Sequence, residues 1–157
     1  MGELMREQRP FGKHELYVED DLLCIATHGT LTEQEMRMVI AVVEELIERH
    51  GRVLVLADHR EAGSFEPEAR RFGANWAVGK PVLGIAMYNV TLVSRTLFSM
   101  VLKATNVIRK QPLPFDFFGS ESDAREWLAA LRRQSLPKVR KSSEQPSLRK
   151  ADRPPER

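Results

Sequence analysis

The sequence predicts an α/β domain with a mainly parallel sheet, and three observations carry that expectation. Two short strand patterns flank the polar pair Asp20 and Asp21 at the start. Runs of helical period then alternate with short apolar strand patterns, and two of the helices open on capping boxes. The order is ββαβαβαβα, an N-terminal β-hairpin followed by β-α units. Such alternation favours parallel strands joined by right-handed crossovers, with the first strand an antiparallel addition.

Residues 14–19 and 22–28 read as the hairpin, turning at Asp20 and Asp21. The next segment, LTEQEMRMVIAVVEELIERHG, is a helix by three separate signals. Thr32 and Glu35 form a capping box, Met36, Val39, Ile40, Val43, Leu46 and Ile47 recur at helical spacing, and Gly51 supplies the stop. RVLVLAD and PVLGIAMYNV are apolar strands of the kind buried on both faces. Between them, residues 67–78 form a short helix turning Ala69, Phe72 and Trp76 inward and weakened by Gly73. A helix over 92–108 follows, then the strand FDFFGS after Pro112 and Pro114. The last helix, SESDAREWLAALRR, has Ser120 and Asp123 as its capping box and Ala124, Trp127, Leu128 and Leu131 on one face.

The 157 residues, 42% hydrophobic, suit one domain with a proper core. No run is long and apolar enough to span a bilayer, and the polar start lacks a leader pattern, so a cytoplasmic protein is expected. The single cysteine, Cys24, sits in an apolar run and reads as a buried thiol with no disulfide to form. Charge is unevenly placed. Residues 134–157 carry seven Lys or Arg against three acids, a net +4, while the rest carries seventeen against nineteen, a net −2. The expected organisation is therefore a flexible N-terminus over 1–12, a domain over 13–133 and a disordered basic tail over 134–157. That tail is Pro- and Ser-rich without aromatic interleaving, which reads as a solubilising terminus rather than a specific nucleic-acid binder.

The element order, the closing phrase FDFFGSESDAREWLAAL and a short strand leading into a Ser-bearing turn together resemble the SpoIIAA-like branch of the STAS domains. These are related in fold to bacterial anti-sigma-factor antagonists. The resemblance covers about 13–133. It implies a superhelix of β-α units and a non-enzymatic, regulatory role in protein interaction or ligand sensing. Similar domains of the CRAL-TRIO type bind lipids, so a small apolar ligand is the alternative it implies. The antagonists are switched by phosphorylation of a Ser at the start of the helix after the second parallel strand, in a pattern resembling Asp-Ser-Ser-Gly. Here AGSFEPEARR offers only Ser64, with no Asp before it, no second Ser and no Gly after it.

Ser64 thus has two readings, a phosphosite and the N-cap of the helix that begins with Glu66, Pro67 and Glu68. As a cap it would serve Glu66, since Pro67 has no N–H. As a phosphosite it would gain from the helix dipole and suffer from Glu66 and Glu68. Asp58, His59 and Arg60 are expected just past the end of a parallel strand, where open α/β sheets bind ligands. With His28 ending the neighbouring strand, they form the candidate ligand site. Catalysis by His28, Asp58 and His59 would require all three to converge, and neighbouring strand residues point in opposite directions. No HExxH, paired cysteine, Gly-framed nucleophile or phosphate loop accompanies them, so neither an enzyme nor a cofactor or metal is expected.

The helix over 92–108 places Arg95, Ser99, Lys103 and Asn106 in one narrow stripe and apolar side chains around most of its circumference. That is more apolar surface than one sheet face covers. The expectation is a self-association surface built on Leu97, Phe98, Val101 and Leu102, giving a homodimer, beside a protein partner whose identity the sequence does not carry.

Overall fold

The computed structural model describes residues 6–108 and 112–135. Its elements are β1 (Glu7–Arg9), β2 (Glu15–Glu19), β3 (Leu22–Leu31), α1 (Glu33–His50), β4 (Val53–Phe65), α2 (Pro67–Ala77), β5 (Val82–Tyr88), α3 (Leu92–Ile108), β6 (Phe115–Phe118) and α4 (Glu121–Ser135). All six strands join one sheet in chain order, β1 to β6. β1, β2 and β3 pair antiparallel, and β3 to β6 pair parallel. The mainly parallel α/β sheet and its N-terminal hairpin are as the sequence predicts. Asp20 makes the hairpin turn at a positive φ of 54°, which a short polar side chain tolerates.

Two strands differ from expectation. Residues 7–9, assigned above to a flexible N-terminus, add an edge strand to β2, and Phe11 just after them is buried in the core. Three polar residues are too short a run to show strand alternation. β4 runs beyond Asp58 to Phe65, because β3 also continues to Leu31 and the two stay paired. The polar and Gly-bearing sequence HREAGS hides that extension.

The strand order places the three crossover helices on one face of the sheet. α1 contributes Val39, Val43 and Leu46 to a core with Leu16, Leu23 and Val53, against which Trp76 of α2 and Leu102 of α3 also pack. The opposite face belongs to α4. Ala124 and Leu128 pack there on Cys24, Leu54, Leu56 and Ala86, with Trp127 and Leu131 beside them. A Cβ at Gly84 would collide with Leu131, so this glycine lets α4 approach β5 closely.

Caps and ion pairs fix the helices. The Thr32–Glu35 box is complete, and Gly51 closes α1 in the left-handed conformation at φ 78°. Ser120 Oγ accepts from the Asp123 N–H at 3.2 Å. α4 is tied to the hairpin by buried carboxylates. Glu19 accepts from Arg125 and Arg6, and Asp21 from Arg132 and Arg52, at 2.6–3.2 Å. The Arg125 and Arg6 guanidiniums hold Glu19 below the usual carboxylate range. Burial pushes Asp21 up, but Arg132 and Arg52 outweigh it and hold it low as well.

Candidate functional site

The far end of the β3–β4 pair is where the polar side chains gather. Ala26 pairs with Asp58 and His28 with Glu61, so β4 carries one residue more than β3 between those pairs, a β-bulge. The bulge is polar. Asp58 Oδ1 accepts the Arg60 N–H at 2.9 Å and the Asn89 Nδ2–H at 3.0 Å, which replaces a ladder bond and ties β4 to the end of β5.

On the α4 side of the sheet, beyond the helix, lies an open groove of about 200 Å3 bordered by Glu15, His28, Asp58, Arg60 and Glu61. His28 is bridged on both ring nitrogens, by Glu15 at Nε2 (3.1 Å) and by Glu61 at Nδ1. The carboxylates of Glu15 and then Glu61 raise the pKa of His28, because they favour the imidazolium. A group so placed can hold its proton and pin three strands together. It presents no free lone pair, so it is neither a base nor a metal ligand while both bridges stand. Among the described residues, no group of three His, Cys, Asp or Glu side chains is placed to hold a metal ion.

His59 is the correction to the candidate site. Its side chain leaves β4 on the opposite face, buried, with Phe98 of α3 edge-on at 4.8 Å and Phe65 stacked at 6.5 Å. Burial lowers its pKa to about 4. It is therefore neutral near pH 7. The structure brings His28, Asp58 and Arg60 to one groove and sends His59 away from it, so the three-residue convergence that catalysis requires is not formed.

Ser64 is also placed differently. It lies exposed within β4, not at a helix start. The N-cap of α2 is Glu66, without a side-chain cap bond, and Pro67 follows as the first helical residue. Glu66 instead turns its carboxylate to the Glu33 N–H at 3.3 Å, serving the first turn of α1.

α3 presents the second feature. Phe98, Val101 and Leu102 are half-buried against the sheet, with Phe98 seated on His59 and Phe65. Of the residues expected to form the interaction surface only Leu97 is exposed, so the surface lies further round the helix. There Val93, Leu97, Met100, Ala104 and Val107 form an outward stripe at alternating spacings of four and three, with Val93, Met100 and Val107 at 79, 65 and 85% exposure. The stripe read as polar partly faces the chain. Asn106 bonds both Leu113 N (2.7 Å) and Leu113 O (3.1 Å), and Arg95 lies over the Phe117 ring.

One functional-looking group gave no signal in the sequence. His14 is buried, its Nδ1 accepting the His28 N–H at 2.9 Å. Nε2 therefore carries the proton and donates to Glu35 at 2.9 Å, joining the hairpin to the cap of α1. Nothing in the spacing of residues 14, 28 and 35 announces that contact.

The second cavity, also about 200 Å3, lies beside α4 and is bordered by Glu19, Asp20, Arg125 and Arg132 together with Leu22 and Leu128. These two cavities have charged walls and are not of the enclosed apolar kind that an apolar ligand calls for. Among the described residues no helix is long and apolar enough to cross a membrane. Residues 136–157 of the expected basic tail lie outside the described residues, while 134 and 135 end α4.

Comparison with known proteins bears on the fold. An uncharacterized protein with a SpoIIAA-like fold from Shewanella loihica PV-4 superposes with a TM-score of 0.51 at 19% identity, covering 82% of this chain and 98% of its own. A comparison with curated proteins finds no match. The SpoIIAA-like family model matches residues 22–129, from the first residue of β3 to the third turn of α4. With more than half of the sequence inside that match and the fold agreeing, the chain belongs to the SpoIIAA-like family.

Proposed function

We propose that the chain is a non-enzymatic interaction module of the cytoplasm that self-associates through the outer face of α3. The observation that carries this reading is the exposed apolar stripe Val93, Leu97, Met100, Ala104 and Val107. A broad apolar face on a monomer is uncommon and marks an interaction site. The occupant is a second copy of the chain in antiparallel orientation. A two-fold axis at Met100 sets Val93 against Val107 of the other copy, as a self-complementary interface requires. The divergence of His28 and His59 onto opposite sheet faces supports the non-enzymatic part.

Sedimentation of the wild type and of Met100→Glu tests the reading. A dimer at tens of micromolar that becomes a folded monomer in the variant is the expected result. Met100 is the right position because it is exposed, whereas a charge at Phe98 would disturb the core. A monomeric wild type sinks the proposal.

A further inference from the structure

At the β3–β4 bulge the sheet carries polar groups on both faces, and only one face has them paired. In the groove on the α4 side, His28 is bridged by Glu15 and Glu61, and Asp58 accepts from the Arg60 N–H and from Asn89. On the other face, Thr27 Oγ1 and His59 Nδ1 are both shut away from solvent without a hydrogen-bond partner. Thr27 is 4% exposed and His59 7%.

The two belong to one spot. Thr27 borders the charged groove, but β3 is regular up to it, and alternation from Leu23 and Ile25, both in the core under α1, turns its side chain to that same face. His59 is fixed on that face by its ring contacts with Phe98 and Phe65. Adjacent strands lie about 4.8 Å apart, so the two side chains start as close neighbours. Buried polar atoms nearly always have a partner, whether protein or bound molecule. Two unpartnered polar side chains on neighbouring strands, one of them held against the Phe98 and Phe65 rings, call for a hydrogen-bonding occupant.

We propose that Thr27 Oγ1 and His59 Nδ1 form a buried binding site for one neutral hydroxyl group, supplied by water or by the end of a small alcohol. A hydroxyl both donates and accepts, so it can satisfy both atoms at once. A charged ligand is disfavoured, because burial penalises a charge and the charged residues of the bulge line the opposite groove. The site stands apart from the α3 interface and does not depend on it.

The test uses nitrogen-labelled full-length protein at pH 7, with water and 1-butanol as the probes, in the wild type and in Thr27→Val. That substitution keeps the side-chain shape and removes the hydroxyl. Magnetisation transfer from a resident water to the His59 ring supports the site with water as occupant. Saturable shifts at Thr27, His59 and Phe98 on adding butanol support it with an alcohol. In Thr27→Val, whichever signal the wild type gives falls severalfold. Absence of both signals, or their survival in the variant, overturns the proposal. So does a His59 nitrogen shift that responds to Thr27→Val with neither signal present, since the two side chains then bond each other directly.

Discussion

α1 and α3 are crossover helices of the same layer, eighteen and seventeen residues long, and they use their surfaces in opposite ways. α1 buries Val39, Ile40, Val43 and Leu46 and turns charge outward, with Arg37 and Arg49 paired to Glu33 and Glu45 one turn away. Among the described side chains of α3 the apolar ones are at most half-buried and the one fully buried is Thr105, and the outer face is an apolar stripe. On the proposed reading, a helix whose inner face does this little and whose outer face is this apolar is matched to a surface outside the chain, so that α1 serves folding and α3 would carry a contact surface as well.

The largest expected effect separates them directly. Leu46 is fully buried, so Leu46→Ala should lose about 2–5 kcal/mol in urea denaturation. Met100→Ala, measured on dilute monomer, should stay within about 0.5 kcal/mol. Comparable losses would break the contrast.

Sequence reading reached α1 in full, and α4 but for its last two residues, because their signals are local. Capping boxes, a sustained helical period and Gly51 all lie within the element they define. The direction of α3 was not legible. Asn106 and Arg95 look like a solvent stripe until the segment at Leu113 and Phe117 is placed beside them, and that depends on how the chain turns back after the helix. The candidate site was half legible for the same reason. His28, Asp58 and Arg60 were found by position at a strand end. Their partners Glu15, Glu61 and Asn89 come from three other points in the chain or from the unrecognised extension of β4. Alternation along β4 already turns His59 away from Asp58 and Arg60, whereas the bulge that sets Glu61 opposite His28 depends on register between strands, which one sequence does not display.

Acid gives a second way to sharpen the contrast, with a smaller effect. Under α3, His59 has its pKa lowered from 6.5 to about 4 by burial. Between those values the unfolded chain binds the proton and the folded one does not, so stability falls as pH drops through 6.5 and levels off near 4. By pH 5 the wild type should lose about 2 kcal/mol on this account. His28 has the opposite sign. Its raised pKa contributes stability that is full below 6.5 and is lost as pH rises through the folded value. Urea titrations at pH 7 and pH 5 of the wild type and of His59→Phe isolate His59, because His28 is common to both. At the head of α1, burial pushes Glu35 up, but bonds from the Thr32 backbone and His14 outweigh it and lower its pKa. Its contribution is complete above the unfolded value of 4.5 and disappears only as pH falls below that. The seat of α3 should therefore weaken at a higher pH than the cap of α1. A His59→Phe variant that loses as much as the wild type by pH 5 would contradict this order.

The smallest effect compares the two helix starts. Thr32 Oγ1 accepts from the Glu35 N–H at 3.2 Å, and Glu35 answers at the Thr32 N–H while also accepting from His14. Thr91 Oγ1 accepts from the Ser94 N–H at the same distance, but the third helical residue is Ser94, which lacks the carboxylate to reach back. Thr32→Ala removes one bond and loosens a carboxylate that also accepts from the Thr32 N–H and His14, so it should cost about 1–2 kcal/mol. Thr91→Ala removes a single exposed bond at the head of a helix with little buried surface behind it, and about 0.5 kcal/mol is expected. Both positions carry the same residue type, so its intrinsic propensity cancels in the comparison and only the surroundings remain. Equal losses in urea denaturation would mean that α3 is held as firmly at its start as α1, and its open outer face would then need another explanation than a helix matched to a partner.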